Sequence, residues 1–323
     1  MPATPEARHL LIPFAGRGSP ACRAALDGLA LPNLQALLAR LAPAETDLAG
    51  ADTLSPPHER ALARALGLTA PDGRLPWAAH EAALAGLSNP NAGEGWARVT
   101  LCHGEVAVDE MVIDDPAVLA VGAAESDDLL AAARPFFEED GIRLHSSTEP
   151  GHWLARCALF EGIASASLDR AIRQPVSAWS AGAQEERALR RLANEMQMLL
   201  YTQPANDERA TRNAPAINCI WFSGTGVLPE NAPLDRAAPT VDARLRAPAL
   251  QDDGPGWAAA WQALDTGPIA ELRAAAARGE PVALTLCGDR AAQRWEGPAS
   301  RGLGAWLKGL LGRQRPSDVL LQL

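Results

Sequence analysis

Proton transfer at neutral pH needs an imidazole held beside a carboxylate, and in this 323-residue chain the best such group is His103, with Asp109 and Glu110 a few positions on. Ser19, in the turn Gly16-Arg17-Gly18-Ser19, is the matching nucleophile candidate, although a hydroxyl with no base or metal to take its proton is inert. His103, Asp109, Asp114 and Asp115 together carry the donor types that hold a divalent ion. Arg17 would repel such an ion and could hold an anion instead. Asn206 and Arg209 lie three apart, so on a helical turn they share a face, and an amide beside a guanidinium suits a phosphate or carboxylate. Gly224 and Gly226 follow an apolar run and let a backbone come close to a ligand or to another segment. Each residue also has a plain structural reading: Asn206 as a cap, Arg209 as an ion-pair partner, the glycines as a turn, His103 as a hydrogen-bonded strand histidine.

Several chemistries are excluded at once. Lys308 is the only lysine and no G-x-x-x-x-G-K surrounds it, which removes P-loop and Schiff-base schemes. Gly16-Arg17-Gly18 is half a dinucleotide fingerprint without its third glycine. Five cysteines at wide spacing, with no C-x-x-C, argue against a disulfide framework and a zinc knuckle, and fit a cytoplasmic protein. A net charge of −10 opposes nucleic-acid and anionic-membrane binding. No apolar run approaches the length of a bilayer span. The segment 303–311, with Trp306 and Lys308, is too short for a membrane-surface helix and reads as a core or dimer face. Nine tryptophans against one tyrosine leave room for a Trp-rich interaction surface, although Trp257 and Trp261, four apart on a helix, read as core.

The elements that must position these groups follow from periodicity. His9 to Ala15 reads as a buried strand, and helices are expected over 21–29, 34–41, 56–66 and 77–87. The texture changes near Asn89. Trp96 to Cys102 and Glu105 to Ile113 read as a strand pair, Val118 to Val121 as a further strand, Glu125 to Phe137 as a helix kinked at Pro135, and Ile142 to His145 and His152 to Phe160 as strands. Leu189, Leu192, Met196, Leu199 and Leu200 mark a helix over 184–201. Ala216 to Phe222 is a strand entering a sharp Gly224-Thr225-Gly226 turn, and the proline-rich stretch 228–256 is a connection. The end reads as helices at 257–264, 269–278 and 303–311 with strands at 282–287 and 319–323. This order implies an α/β core domain from residues 1–95 with 230–323, and an inserted α+β domain over 96–229.

Three linked motifs carry a resemblance. Asn194-Glu195 with Gln197-Met198-Leu199-Leu200, then Pro204-x-Asn206-x-x-Arg209, then Asn218-x-x-Trp221-Phe222-x-Gly224-x-Gly226 resemble the proteobacterial RpfE-type regulatory protein family. That family is similar to the archaeal-type cofactor-independent phosphoglycerate mutases of the alkaline-phosphatase superfamily. The resemblance covers about 96–229 and implies an alkaline-phosphatase-like core with an inserted lobe. For an active mutase it also implies two metal ions held by aspartates and histidines, an Asp-His pair, and a serine or threonine nucleophile. Here none of the six histidines (His9, His58, His80, His103, His145, His152) falls after position 152, no Asp-His dipeptide occurs, and Phe14-Ala15-Gly16-Arg17 stands where active relatives carry an aspartate. The expectation is therefore a pseudoenzyme that holds neither metal nor cofactor. It would serve regulation by binding a phosphate-bearing or carboxylate small molecule, or a protein partner, in a cleft lined by Asn206, Arg209, Gly224, Gly226 and Arg17. Two other readings are an active phosphomutase or phosphatase with rearranged ligands, and a purely structural interaction module.

Overall fold

The computed structural model describes residues 7–16, 18–88, 93–107, 110–179, 186–297 and 315–323. In chain order its strands are β1 (Arg8–Ile12), β2 (Ala42–Leu48), β3 (Gly95–Cys102), β4 (Gly104–Ala107), β5 (Glu110–Ile113), β6 (Arg143–Ser146), β7 (His152–Arg156), β8 (Cys219–Val227), β9 (Thr240–Val241), β10 (Val282–Cys287) and β11 (Ala291–Gly297). The chain divides into a terminal unit of residues 1–52, 56–65 and 237–323 and an inserted unit of 53–55 and 66–236. The α/β character, with a core drawn from both chain ends, is as the sequence implies. The division falls near Leu66 rather than Trp96, because the helix Trp77–Leu84 packs on β8 and β3 of the inserted unit.

The terminal unit is built on the sheet β2-β11-β10-β1-β9. β1 runs parallel to β10 and β9, while β10–β11 and β11–β2 are antiparallel. Strands buried on both faces read as continuous apolar runs, as in Val282-Ala-Leu-Thr-Leu-Cys287, where every residue is buried. The edge strand β2 (Ala-Pro-Ala-Glu-Thr-Asp-Leu) is almost wholly exposed and carries Pro43. It has no alternation to betray it, and its place at the edge is where a proline can sit. Trp257 and Trp261 stack edge to face at 6.0 Å and are fully buried, the Trp257 indole donating to the Phe14 carbonyl at 3.0 Å. Of residues 319–323, expected as a strand, 319–322 belong to the helix Pro316–Gln322, with Pro316 starting it and Val319 and Leu320 buried.

The inserted unit holds the antiparallel sheet β6-β7-β3-β8 and the separate hairpin β4-β5. The run 105–113 is thus a hairpin folded on itself, whereas β3 pairs with β7 and β8. The helices Ala123–Glu139 and Glu186–Tyr201 share one apolar core with this sheet, joining Leu129, Ala133 and Phe137 to Leu192, Met196 and Leu200. Residues 116–119 form a short 3-10 turn rather than a strand: the Asp115 carboxylate accepts from the Ala117 N–H, and Pro116 starts the turn. The polar stretch after Gln203 is a further helix, Pro204–Thr211, again begun by a proline.

Gly224 and Gly226 do not end the strand. β8 continues through both to Val227, and its register against β3 shifts between Trp96 and Arg98, which is a bulge rather than a turn. Gly226 has φ +141, and a Cβ there would lie 2.9 Å from the Arg74 carbonyl oxygen; Gly224 has φ +61 and faces the Trp77 Cβ at 3.0 Å. The glycines thus seat the start of the helix Trp77–Leu84 against the sheet. Gly226→Ala is expected to cost about 1 to 3 kcal/mol, the range for backbone strain of this kind, read as a lower urea midpoint with an unchanged denaturant slope.

His9 on β1 is bonded to the Thr285 hydroxyl at 2.8 Å, and burial, with Arg294 nearby, lowers its pKa to about 4. The unfolded chain would protonate His9 near its ordinary 6.5 while the folded one does not, so stability falls as pH drops from 6.5 towards 4. A His9→Gln variant should lose that part of the slope in chemical denaturation measured across this window.

Candidate functional site

Arg209 lies inside the inserted unit and not on a cleft. It is 2% exposed, and its guanidinium is spent on protein groups. Nε and one Nη donate to both Glu125 carboxylate oxygens at 2.6 and 2.7 Å, and the remaining contacts go to the carbonyls of Leu119 and Pro215, each at 3.0 Å. Burial pushes the Glu125 pKa up, but the hydrogen bond and charge of Arg209 outweigh it and leave it below the ordinary carboxylate value. The pair ties the first turn of the helix Ala123–Glu139 to the helix Pro204–Thr211.

Asn206 is engaged in the same way. Its amide donates to the carbonyls of Leu200 and Ile217 at 2.7 and 2.8 Å, and its oxygen accepts from the Ile217 N–H at 2.8 Å. Asn218 does likewise with Gly104, accepting from its N–H at 2.7 Å and donating to its carbonyl at 2.8 Å. Asn206, Asn218 and Arg209 are therefore spent on protein groups, and Gly224 and Gly226 on the close approach of the helix Trp77–Leu84, where an anion site was expected. Arg17 lies outside the described residues.

His103 ends β3. Its Nδ1 is 2.7 Å from the Ala216 carbonyl oxygen, which can only accept, so Nδ1 carries a hydrogen. Nε2 lies 3.4 Å from a Glu105 carboxylate oxygen, and donor atoms of His103, Glu105 and Asp114 all lie within 4.8 Å of one another. Among the described residues this is the group of three that could hold an ion, and it stands in the inserted unit. Of the four ligands suggested by sequence, His103 and Asp114 meet here, Asp109 lies outside the described residues, and the Asp115 side chain caps the following turn. Glu105 takes the place of the missing members.

Ser19 sits in the terminal unit just before the helix Pro20–Ala25, where its carbonyl accepts from the Arg23 N–H, and its buried hydroxyl has no hydrogen-bond partner. Around the end of β1, Phe14 and Ala15 are buried, and a Cβ on Gly16 would strike the Leu320 carbonyl oxygen at 2.3 Å and the Leu323 Cβ at 2.8 Å. The Leu323 carbonyl accepts from the N–H groups of Arg290 and Ala291 at 3.0 and 2.8 Å. Residues 316–323 thus close the region beyond the carboxyl ends of β1 and β10, where open α/β sheets place their ligands.

A groove of about 320 Å³ lies instead on the inserted unit. One wall is β8, through Ile220, Trp221 and Phe222; another is the helix Glu186–Tyr201, through Arg190, Ala193, Asn194 and Gln197. Met111, Ile113 and Trp179 complete it. Positions 190, 194 and 197 repeat at helical spacing on one stripe beside the buried leucine face. That spacing was visible in the Asn194-x-x-Gln197 motif, but nothing in the sequence said which wall would face it. Trp221 is fixed by its indole N–H donating to the Ala166 carbonyl at 3.0 Å. The tryptophans offered as an interaction surface are mostly core: Trp96, Trp153, Trp257, Trp261 and Trp295 are fully buried, and Trp306 lies outside the described residues.

No protein-family model matches the chain, and comparison with curated proteins finds no match. Among solved structures, a cofactor-independent phosphoglycerate mutase from Thermoplasma acidophilum DSM 1728 is similar at 13% identity, over 98% of this chain and 99% of that one, with a TM-score of 0.37. The PH0037 protein from Pyrococcus horikoshii is similar at 14% identity, over 98% and 96%, with a TM-score of 0.43. The likeness is to the course of the whole chain, and at these values neither structure carries a site or an activity across. The RpfE-type resemblance rests on its motifs alone. Among the described residues no helix is long and apolar enough to cross a membrane.

Arg209→Ala should cost about 3 to 5 kcal/mol, the penalty for stripping one partner from a buried ion pair, and should appear as a large fall in melting temperature. Glu125 contributes stability above its unfolded pKa that is lost as pH falls through the lowered folded value, so Glu125→Gln should flatten the acid limb of the stability profile.

Proposed function

We propose that this chain is a non-catalytic relative of the phosphoglycerate mutases, a regulatory protein that acts by binding rather than by metal-assisted phosphoryl transfer. The observation that carries the reading is the closure at the end of β1. Phe14, Ala15 and Gly16 replace the carboxylate that the resemblance implies, and Leu320 and Leu323 pack over them. A two-metal phosphoryl site needs several hard donors converging on open space, because each ion takes about four to six ligands and the substrate must reach them. Buried leucine, phenylalanine and glycine supply no donors. Ser19, the nucleophile candidate, has a buried hydroxyl with no base bonded to it.

A second reading keeps metal chemistry and moves it to His103, Glu105 and Asp114, whose donor atoms lie within 4.8 Å of one another. The Ala216 carbonyl holds the Nδ1 hydrogen and turns Nε2 towards the Glu105 carboxylate, which leaves Nε2 as the ring nitrogen that an ion would take. One experiment separates the two. Purified protein is incubated with Mn2+ or Zn2+, analysed for bound metal after dialysis, and assayed with p-nitrophenyl phosphate and 3-phosphoglycerate. The binding-protein reading expects no turnover above buffer in either assay. Turnover abolished by His103→Ala would replace it with the second reading.

A further inference from the structure

We propose that the groove of the inserted unit binds a small aromatic carboxylate, its ring against Trp179 and Trp221 and its carboxylate at Arg190. The proposal rests on the binding-protein reading and gives it a site and a ligand class. Ligand sites are concave and mainly apolar, with a few placed polar groups, and about 320 Å³ lies within their size range. Here the apolar part is unusually aromatic, which favours a planar ring that can stack or meet an edge.

The charge argument is local. The chain as a whole is −10, and its arginines are commonly paired: Arg191, next in sequence, is bonded to Asp140 and lies 3.8 Å from Glu195. Among the described residues Arg190 has no carboxylate within ion-pair distance, yet it lines an apolar groove. A planar guanidinium there matches a carboxylate through paired N–H donors. Asn194 and Gln197 follow it along the same wall with further donors. The Trp179 indole N–H is shielded from water without a hydrogen-bond partner, and its ring is held from outside the groove by the Arg170 guanidinium, 5.8 Å from the centroid. The groove therefore offers aromatic faces, amide donors and the Arg190 guanidinium together, and no carboxylate among the described residues lines it.

The test is isothermal titration of the full chain with 2-naphthoate, with 2-naphthylmethanol as the uncharged counterpart and acetate as the headgroup alone. The expected result is saturable naphthoate binding, weaker binding of the alcohol and none of acetate. Arg190→Gln should weaken naphthoate about tenfold, the fold-change of one lost charged hydrogen bond, while leaving the alcohol unchanged. Asn194→Trp, at an exposed helix position, should block both, with far-UV circular dichroism and melting used to confirm that each variant is folded. Absence of saturable naphthoate binding, binding indifferent to Arg190→Gln, or binding that survives Asn194→Trp overturns the groove assignment and leaves the non-catalytic reading intact. Phosphomonoester turnover overturns that reading without touching the groove.

Discussion

The inserted unit depends on a buried guanidinium. Arg209 joins the opening turn of one long helix, the loop at Leu119 and the segment entering β8. Packing tolerates sliding; a forked cation held by a carboxylate and two carbonyls does not. Asn206 adds a clamp on Ile217, and Asn218 one on Gly104, so the start of β8 is pinned at successive points before it reaches the sheet. A buried ion pair is poor evidence for raw stability, since desolvation offsets most of the attraction. Its work here is register. The groove depends on it, because β8 supplies one wall, and a slip of one residue would turn Trp221 to the other face.

What the sequence revealed and what it hid divide along physical lines. Elements with strong periodicity were legible: β1, β10 and the helices Ala123–Glu139 and Glu186–Tyr201 bury enough apolar surface to impose their pattern on the chain. β2 was not, because an exposed edge strand needs no apolar alternation. The segment Pro316–Gln322 was misread because a short apolar run fits strand and helix alike, and only its packing decides. Gly224 and Gly226 suggested a turn by type, but positive φ also serves a bulge, and the helix Trp77–Leu84 that demands it lies far off in sequence.

The site was harder for a related reason. Asparagine, arginine and glycine at close spacing suit an anion and suit backbone clamping equally well, since both use the same donors. Which of the two prevails depends on whether protein carbonyls and carboxylates arrive first. For Arg209 they come from Leu119, Glu125 and Pro215, of which only Pro215 is near in sequence. For Arg190 no carboxylate among the described residues arrives. A paired and an unpaired arginine look the same in a sequence, and this difference separates framework from candidate site in the same motif region.

The sheet of the terminal unit also orders events during synthesis. His9 and Thr285, bonded across β1 and β10, are 276 positions apart. β1 is made before both of its neighbours, β9 and β10, and the whole inserted unit lies between them in sequence. The inserted unit is almost continuous over 66–236 and has its partners at hand much sooner. Its folding shortens the open loop that β1 must close, replacing a long flexible chain by a compact body and lowering the entropy cost of the final pairing. Until then the apolar segment Leu10-Leu11-Ile12 waits unpaired, so the interval in which it is open to aggregation lasts through the translation of the inserted unit and of β9 and β10 after it.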